Sequence, residues 1–195
     1  MSIDERSALI IVDVQNDFLP GGALAVSEGD GVIPVLNRYI ERFEGEGGAI
    51  YATRDWHPEG HSSFASEGGM WPRHCVQGSK GAAFDYRLAL PAGTPIVSKG
   101  TESDKEAYSG FQGTHLAETL RERGITRLYV GGLATDYCVK NTVLDGLQNG
   151  FETFYLADAA KGVEVNAGDV ANAEREMIDA GAVATTLDDL ANGHD

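Results

Sequence analysis

Apolar residues follow two alternating rhythms along the chain, and the alternation predicts the architecture. Residues 8–14 (ALIIVDV) are apolar at nearly every position until Asp13, the pattern of a strand covered on both faces. Val32, Ile33, Leu36, Tyr39, Ile40 and Phe43 then recur at helical spacing, and Gly45, Gly47 and Gly48 end that helix. Short apolar runs at 49–53, 96–98, 127–130, 152–156 and 182–185 read as five further strands. Helical patterns at 115–123, 136–147 and 168–180 separate the later ones, with Gly131 and Gly132 expected to break the fourth strand. Residues 54–95 form a long irregular stretch rich in Gly and Pro, a kind of segment that is usually functional. The tail from residue 187 reads as frayed. Strands alternating with helices predict a six-stranded parallel, doubly wound α/β sheet in three α/β/α layers. With no repeat or linker in view, residues 1–195 are read as a single domain.

In such sheets ligands bind beyond the carboxyl ends of the strands, at the switch point of strand order. The residues that follow the predicted strands are chemically competent: Asp13, then Asp55 and His57, then Lys99, then Cys138. Cys138 falls in the first turn of a predicted helix, where Thr135 or Asp136 supplies the cap and the positive dipole end favours a thiolate. Its alternative is a buried structural thiol, the commonest fate of a free cysteine. Asp13 can accept the thiol proton and return it to a leaving amine; its alternative is a surface acid or backbone cap. Lys99, one of five lysines, can pair with Asp13 and hold the thiolate; its alternative is a solvated loop lysine. Asp55, His57, His61 and His74 offer a carboxylate and imidazoles suited to Zn, Fe or Mn; otherwise they fix turns. Cys75 adjoins His74, yet no second cysteine stands at metal-site spacing, so a packed thiol is expected there. Phe18, Trp71 and Tyr108 are loop aromatics that can wall a pocket for a planar ring, or pack as ordinary loop residues.

Charge narrows the partners. The chain has 15 Lys+Arg against 30 Asp+Glu, a formal charge of −15, with 42% hydrophobic residues. That content supports a core, and the sign disfavours nucleic acid and anionic membranes. No apolar run approaches the roughly 20 residues of a membrane span. The N-terminus lacks a signal-peptide pattern, so the expected location is the cytoplasm. A homo-oligomer is left open.

Seven segments, DVQNDF (13–18), RDWHP (54–58), HSSF (61–64), WPRHCVQGSKGA (71–82), SKG (98–100), YSGFQGT (108–114) and GGLATDYCV (131–139), resemble the nicotinamidase branch of the isochorismatase-like cysteine hydrolases. The resemblance implies Cys138 as nucleophile, Asp13 as general base and acid, and Lys99 as third member of a triad. It further implies a cis peptide at Leu133–Ala134, and an oxyanion hole from the Ala134 and Cys138 amides. Asp55, His57 and His74 become ligands of one divalent metal, zinc foremost, with iron or manganese as alternatives. His61 matches a position that is a ligand in some members only. Phe18, Trp71, Tyr108, Leu133 and Ala134 match substrate-pocket positions. The implied reaction is hydrolysis of nicotinamide, with pyrazinamide as a further substrate, to the acid and ammonia through a thioester, in NAD salvage. Rival readings are a superfamily amidase for a ureido or other small amide, a metal-activated water with Cys138 incidental, and a binding module on the same fold.

Overall fold

The computed structural model describes residues 3–191. Six strands, β1 (Ser7–Val12), β2 (Ala49–Asp55), β3 (Ile96–Lys99), β4 (Arg127–Leu133), β5 (Glu152–Lys161) and β6 (Val183–Thr185), form one all-parallel sheet. Their order is β3-β2-β1-β4-β5-β6. This is the doubly wound arrangement read from the sequence, and its switch point lies between β1 and β4.

β1 is buried at every residue because both faces are covered. Leu9 and Ile11 pack on one face with helix α1 (Val32–Glu46) and with Leu187 and Leu190 of α5 (Leu187–Ala191). Ala8, Ile10 and Val12 pack on the other face. Their neighbours there are α2 (Leu116–Glu122), α3 (Lys140–Gln148) and α4 (Asp169–Asp179). α1 buries the six apolar residues at helical spacing and ends at Gly47, whose φ of 78° suits a left-handed C-cap.

Four boundaries differ from the sequence reading, each for a physical reason. β4 runs through Gly131 and Gly132 to Leu133. A Cβ on Gly132, at φ 125°, would lie 2.1 Å from the Val12 carbonyl oxygen, so glycine there lets β4 hug β1 rather than break. β5 continues to Lys161, past a register shift opposite Val130 and Gly132 that lets polar residues join the strand. The predicted helix from 136 begins as a π-helical turn, Thr135–Val139, before α3. Asp136 is not its cap: its carboxylate accepts the Val163 and Glu164 amides at 2.9 and 2.7 Å. The start of the tail is helix α5, anchored by Leu187 and Leu190 in the core, while residues 192–195 lie outside the described residues. No helix among the described residues is long and apolar enough to cross a membrane.

Candidate active site

β1 ends at Val12, and Asp13 turns the chain away with φ 52°, an uncommon backbone state for a residue with a Cβ. That turn aims the carboxylate across the end of the sheet. Lys99, the last residue of β3, reaches it: Nζ lies 2.8 Å from Asp13 Oδ2. The same ammonium contacts Asp55 Oδ1 and donates to Cys138 Sγ at 3.4 Å. Oxygens of Asp13 and Asp55 and the Cys138 sulfur all lie within 4.8 Å of one another. The Thr53 hydroxyl donates to Asp13 Oδ1 at 2.6 Å. All of these groups are buried.

Burial and the neighbouring charges compete at each of these groups. Burial pushes the Lys99 ammonium down, but Asp13 and Asp55 outweigh it and hold the amine well above its usual range. Burial raises the Asp13 carboxyl, and the opposing Lys99 charge does not cancel it. Burial also opposes ionisation of Asp55, yet Lys99 and the His57 ring more than offset it, so this carboxyl stays below the usual range. The Cys138 thiol is pushed well up, mainly by burial, with Asp13 and Asp55 adding to it and Lys99 working against it. Burial, with Asp13 and Asp55 adding to it, thus works against the thiolate expected at a helix start, and Lys99 works for it.

Asp55 faces two ways. Its Oδ1 meets Lys99, while its Oδ2 lies 3.5 Å from His57 Nε2 and 3.8 Å from His74 Nε2. One donor atom from each of these three residues falls within 4.8 Å of the others. His57 Nδ1 meets the Gly100 carbonyl at 2.9 Å and His74 Nδ1 meets the Pro72 carbonyl at 2.7 Å. With Nδ1–H given to a carbonyl, the neutral form of each ring turns its Nε2 lone pair toward a cation. This donor set, one carboxylate and two oriented imidazoles, fits a divalent metal. His61 stands apart from it. Its ring stacks on His57 at 4.1 Å, with Nδ1 2.7 Å from the Ser63 hydroxyl and Nε2 3.1 Å from the Lys105 carbonyl. It forms a second group with His57 and Glu106 instead.

A cleft of about 440 Å³, its open mouth included, joins the two clusters. Phe18, Trp71, Tyr108, Leu133 and Ala134, all singled out in the sequence, line it with Asp55, His74 and Cys138. The Trp71 indole donates to the Tyr108 hydroxyl at 3.0 Å, and Tyr137 packs edge-on against Trp71 at 5.1 Å. The Leu133–Ala134 peptide is cis.

Residues 7–189 match the isochorismatase domain family. The chain belongs to that family. It is 43% identical to a nicotinamidase of Escherichia coli (strain K12), over 93% of this chain and 95% of that relative. Its fold superposes on the pyrazinamidase of Pyrococcus horikoshii in complex with zinc, with a TM-score of 0.90 and 52% identity, covering 93% of this chain and 99% of that one. A structure from L. infantum in complex with nicotinate also gives a TM-score of 0.90, at 34% identity and 97% coverage of each chain.

Within this isochorismatase-family site several lining residues escaped the sequence reading. Leu24, Val26 and Val163 come from irregular loops with no periodicity to betray their direction. Tyr137 precedes Cys138, and an aromatic beside a candidate nucleophile was a usable signal. Thr53 sat inside a strand pattern and carried none. Cys75 is a buried thiol in the core cluster, as expected.

Proposed function

We propose that the protein is a nicotinamidase, a cysteine amidohydrolase converting nicotinamide to nicotinate and ammonia, with pyrazinamide as a second substrate. One observation carries the reading: Cys138, which meets the buried Lys99 that also binds Asp13, lines the same aromatic cleft as Asp55 and His74, which group with His57. Relatives that carry this activity in their names support the choice of amide. Every residue invoked comes from one chain.

Phe18, Trp71 and Tyr108 hold the planar ring, and the carboxamide carbon faces Cys138 Sγ. As sulfur attacks, its proton passes to Asp13, whose raised basicity suits a carboxylate that must accept and then return a proton. Lys99 stays cationic and balances the negative charge that builds on sulfur and carboxylate. The amides of Ala134 and Cys138 receive the oxyanion of the tetrahedral adduct. Collapse breaks the carbon–nitrogen bond, and Asp13 protonates the departing ammonia. A water then gives its proton to Asp13 and its oxygen to the thioester carbonyl; collapse releases nicotinate and returns the proton to sulfur. Asp55, His57 and His74 would hold a divalent metal, zinc in this reading, which would supply a Lewis-acid anchor for the ring end of the substrate. A cytoplasmic site of action keeps both thiols, Cys75 and Cys138, reduced.

The test is to incubate purified protein with nicotinamide and follow nicotinate and ammonia together. Equal release of both, abolished in Cys138→Ala with metal content retained, is the expected result. Near-normal turnover by Cys138→Ala refutes the scheme.

A further inference from the structure

The main-chain ladder between β1 and β2 stops short of the site. Its last rung runs from the Asp13 amide to the Thr53 carbonyl at 3.2 Å. The backbone then folds back, with the Gln15 amide donating to the Asp13 carbonyl at 2.8 Å. Asp55, two residues beyond Thr53, is thus left beyond the reach of the β1 main chain. On its other side β3 pairs Asp55 with Lys99.

The Gln15 side chain takes the missing place. Its Oε1 accepts the Asp55 amide at 2.8 Å, and its Nε2 donates to the Asp55 carbonyl at 2.8 Å. The second Nε2 hydrogen goes to the Ala82 carbonyl at 2.9 Å. Gln15 is fully buried. A primary amide carries the same donor and acceptor chemistry as a peptide group, so it can stand in for a strand residue. The orientation is dictated by its partners: a flipped amide would set oxygen against two carbonyls and nitrogen against an N–H. One side chain therefore clamps both main-chain groups of Asp55 and ties them to the segment that follows His74.

We propose that Gln15 is a positioning residue that fixes the Asp55 main chain and so the direction of the carboxylate shared by Lys99, His57 and His74. It aligns the nucleophile cluster with the metal donors and touches neither substrate nor reacting atoms. The proposal rests on the reading of Asp55, His57 and His74 as metal ligands.

The test uses the full-length chain, stripped of metal and titrated with zinc against a chromophoric chelator, together with steady-state kinetics and thermal melts. Gln15→Met keeps the length and removes all three bonds; Gln15→Asn keeps the amide but is one methylene too short to span both partners. Loss of a group that orients a ligand typically weakens metal binding about 10- to 100-fold. That range is expected for Gln15→Met, with a smaller loss for Gln15→Asn and a fall in kcat in both. A residue that only packs would lower the melting temperature and leave zinc affinity of the folded protein unchanged. The proposal is overturned if folded Gln15→Met binds zinc within twofold of wild type. Should Gln15→Met fail to fold, the same threshold applied to Gln15→Asn decides. Absence of zinc binding by the wild type overturns the metal-site reading, and this proposal with it. Zinc binding without nicotinamide turnover refutes only the choice of substrate, and the affinity comparison still decides the role of Gln15.

Discussion

Lys99 joins Asp13, Asp55 and Cys138 in one buried cluster, and Lys99→Met tests its electrostatic weight there. The ammonium is buried, 2.8 Å from Asp13, in contact with Asp55 and 3.4 Å from the Cys138 sulfur. Methionine preserves the stem and deletes the charge, leaving two buried carboxylates without their cation. Breaking a buried ion pair by removing one partner costs about 3–5 kcal/mol. Two acids share this one cation, so the upper end, about 5 kcal/mol, is expected. A chain of this length loses about 2–4 °C of melting temperature per kcal/mol, so the fall should be on the order of 10–20 °C. Activity should fall on the order of 10⁴-fold, the scale seen when one member of a catalytic unit is removed. Calorimetric melts at neutral pH and a nicotinate-release assay read the two effects. Lys99→Met combined with Asp13→Asn separates unpaired charge from lost packing. Removing the orphaned acid should restore about 1–3 kcal/mol relative to the single variant, the size of coupling between contacting residues. A Lys99→Met melt within about 2 °C of wild type, or a double variant less stable than the single one, would refute the electrostatic account.

Three further outcomes follow from other parts of the structure. Dialysis against a chelator should remove one metal per chain and raise KM for nicotinamide, with zinc restoring it; iodoacetamide labelling of Cys138 should persist in the stripped protein. Trp71→Ala removes the indole that binds the Tyr108 hydroxyl and packs on Tyr137. A loss of about 1–2 kcal/mol in ring binding, roughly 5- to 30-fold in KM with a smaller change in kcat, is expected, and an unchanged KM contradicts the pocket assignment. On the loop that follows Ala82, the Arg87 guanidinium holds the Asp85 carboxyl below the usual range. A lowered folded-state value means that the stabilisation is present above the unfolded carboxyl value and lost as pH falls through the folded one. Because Arg87 is nearly half exposed, Asp85→Asn should cost under about 1 kcal/mol at neutral pH. Denaturant midpoints of wild type and variant should converge in acid; a gap that widens there contradicts the sign.

The sheet was legible because a parallel strand buried on both faces writes its cover into its own sequence: residues 8–12 contain nothing but apolar side chains. The meeting of Asp13, Asp55, Lys99 and Cys138 was legible for the same topological reason, since all four stand at or just after strand ends. What resisted reading was set by contacts across the fold. Glycine at 132 looked like a breaker, and only the proximity of Val12 shows it to be a close-approach residue. The protonation state of Cys138 depends on the sum of burial, two acids and one amine, a balance that helix position alone does not reveal. Leu24, Val26 and Val163 reach the cleft by loop paths that no periodicity encodes.

The central claim is that Cys138 carries the acyl group during turnover. Rapid acid quenching of the enzyme with nicotinamide, followed by intact-mass measurement and peptide mapping, tests it most directly. The account predicts a species heavier by one nicotinoyl group, located on the peptide containing Cys138 and absent from Cys138→Ala. Full turnover of wild type with no covalent species at any quench time, together with activity in Cys138→Ala, would contradict it.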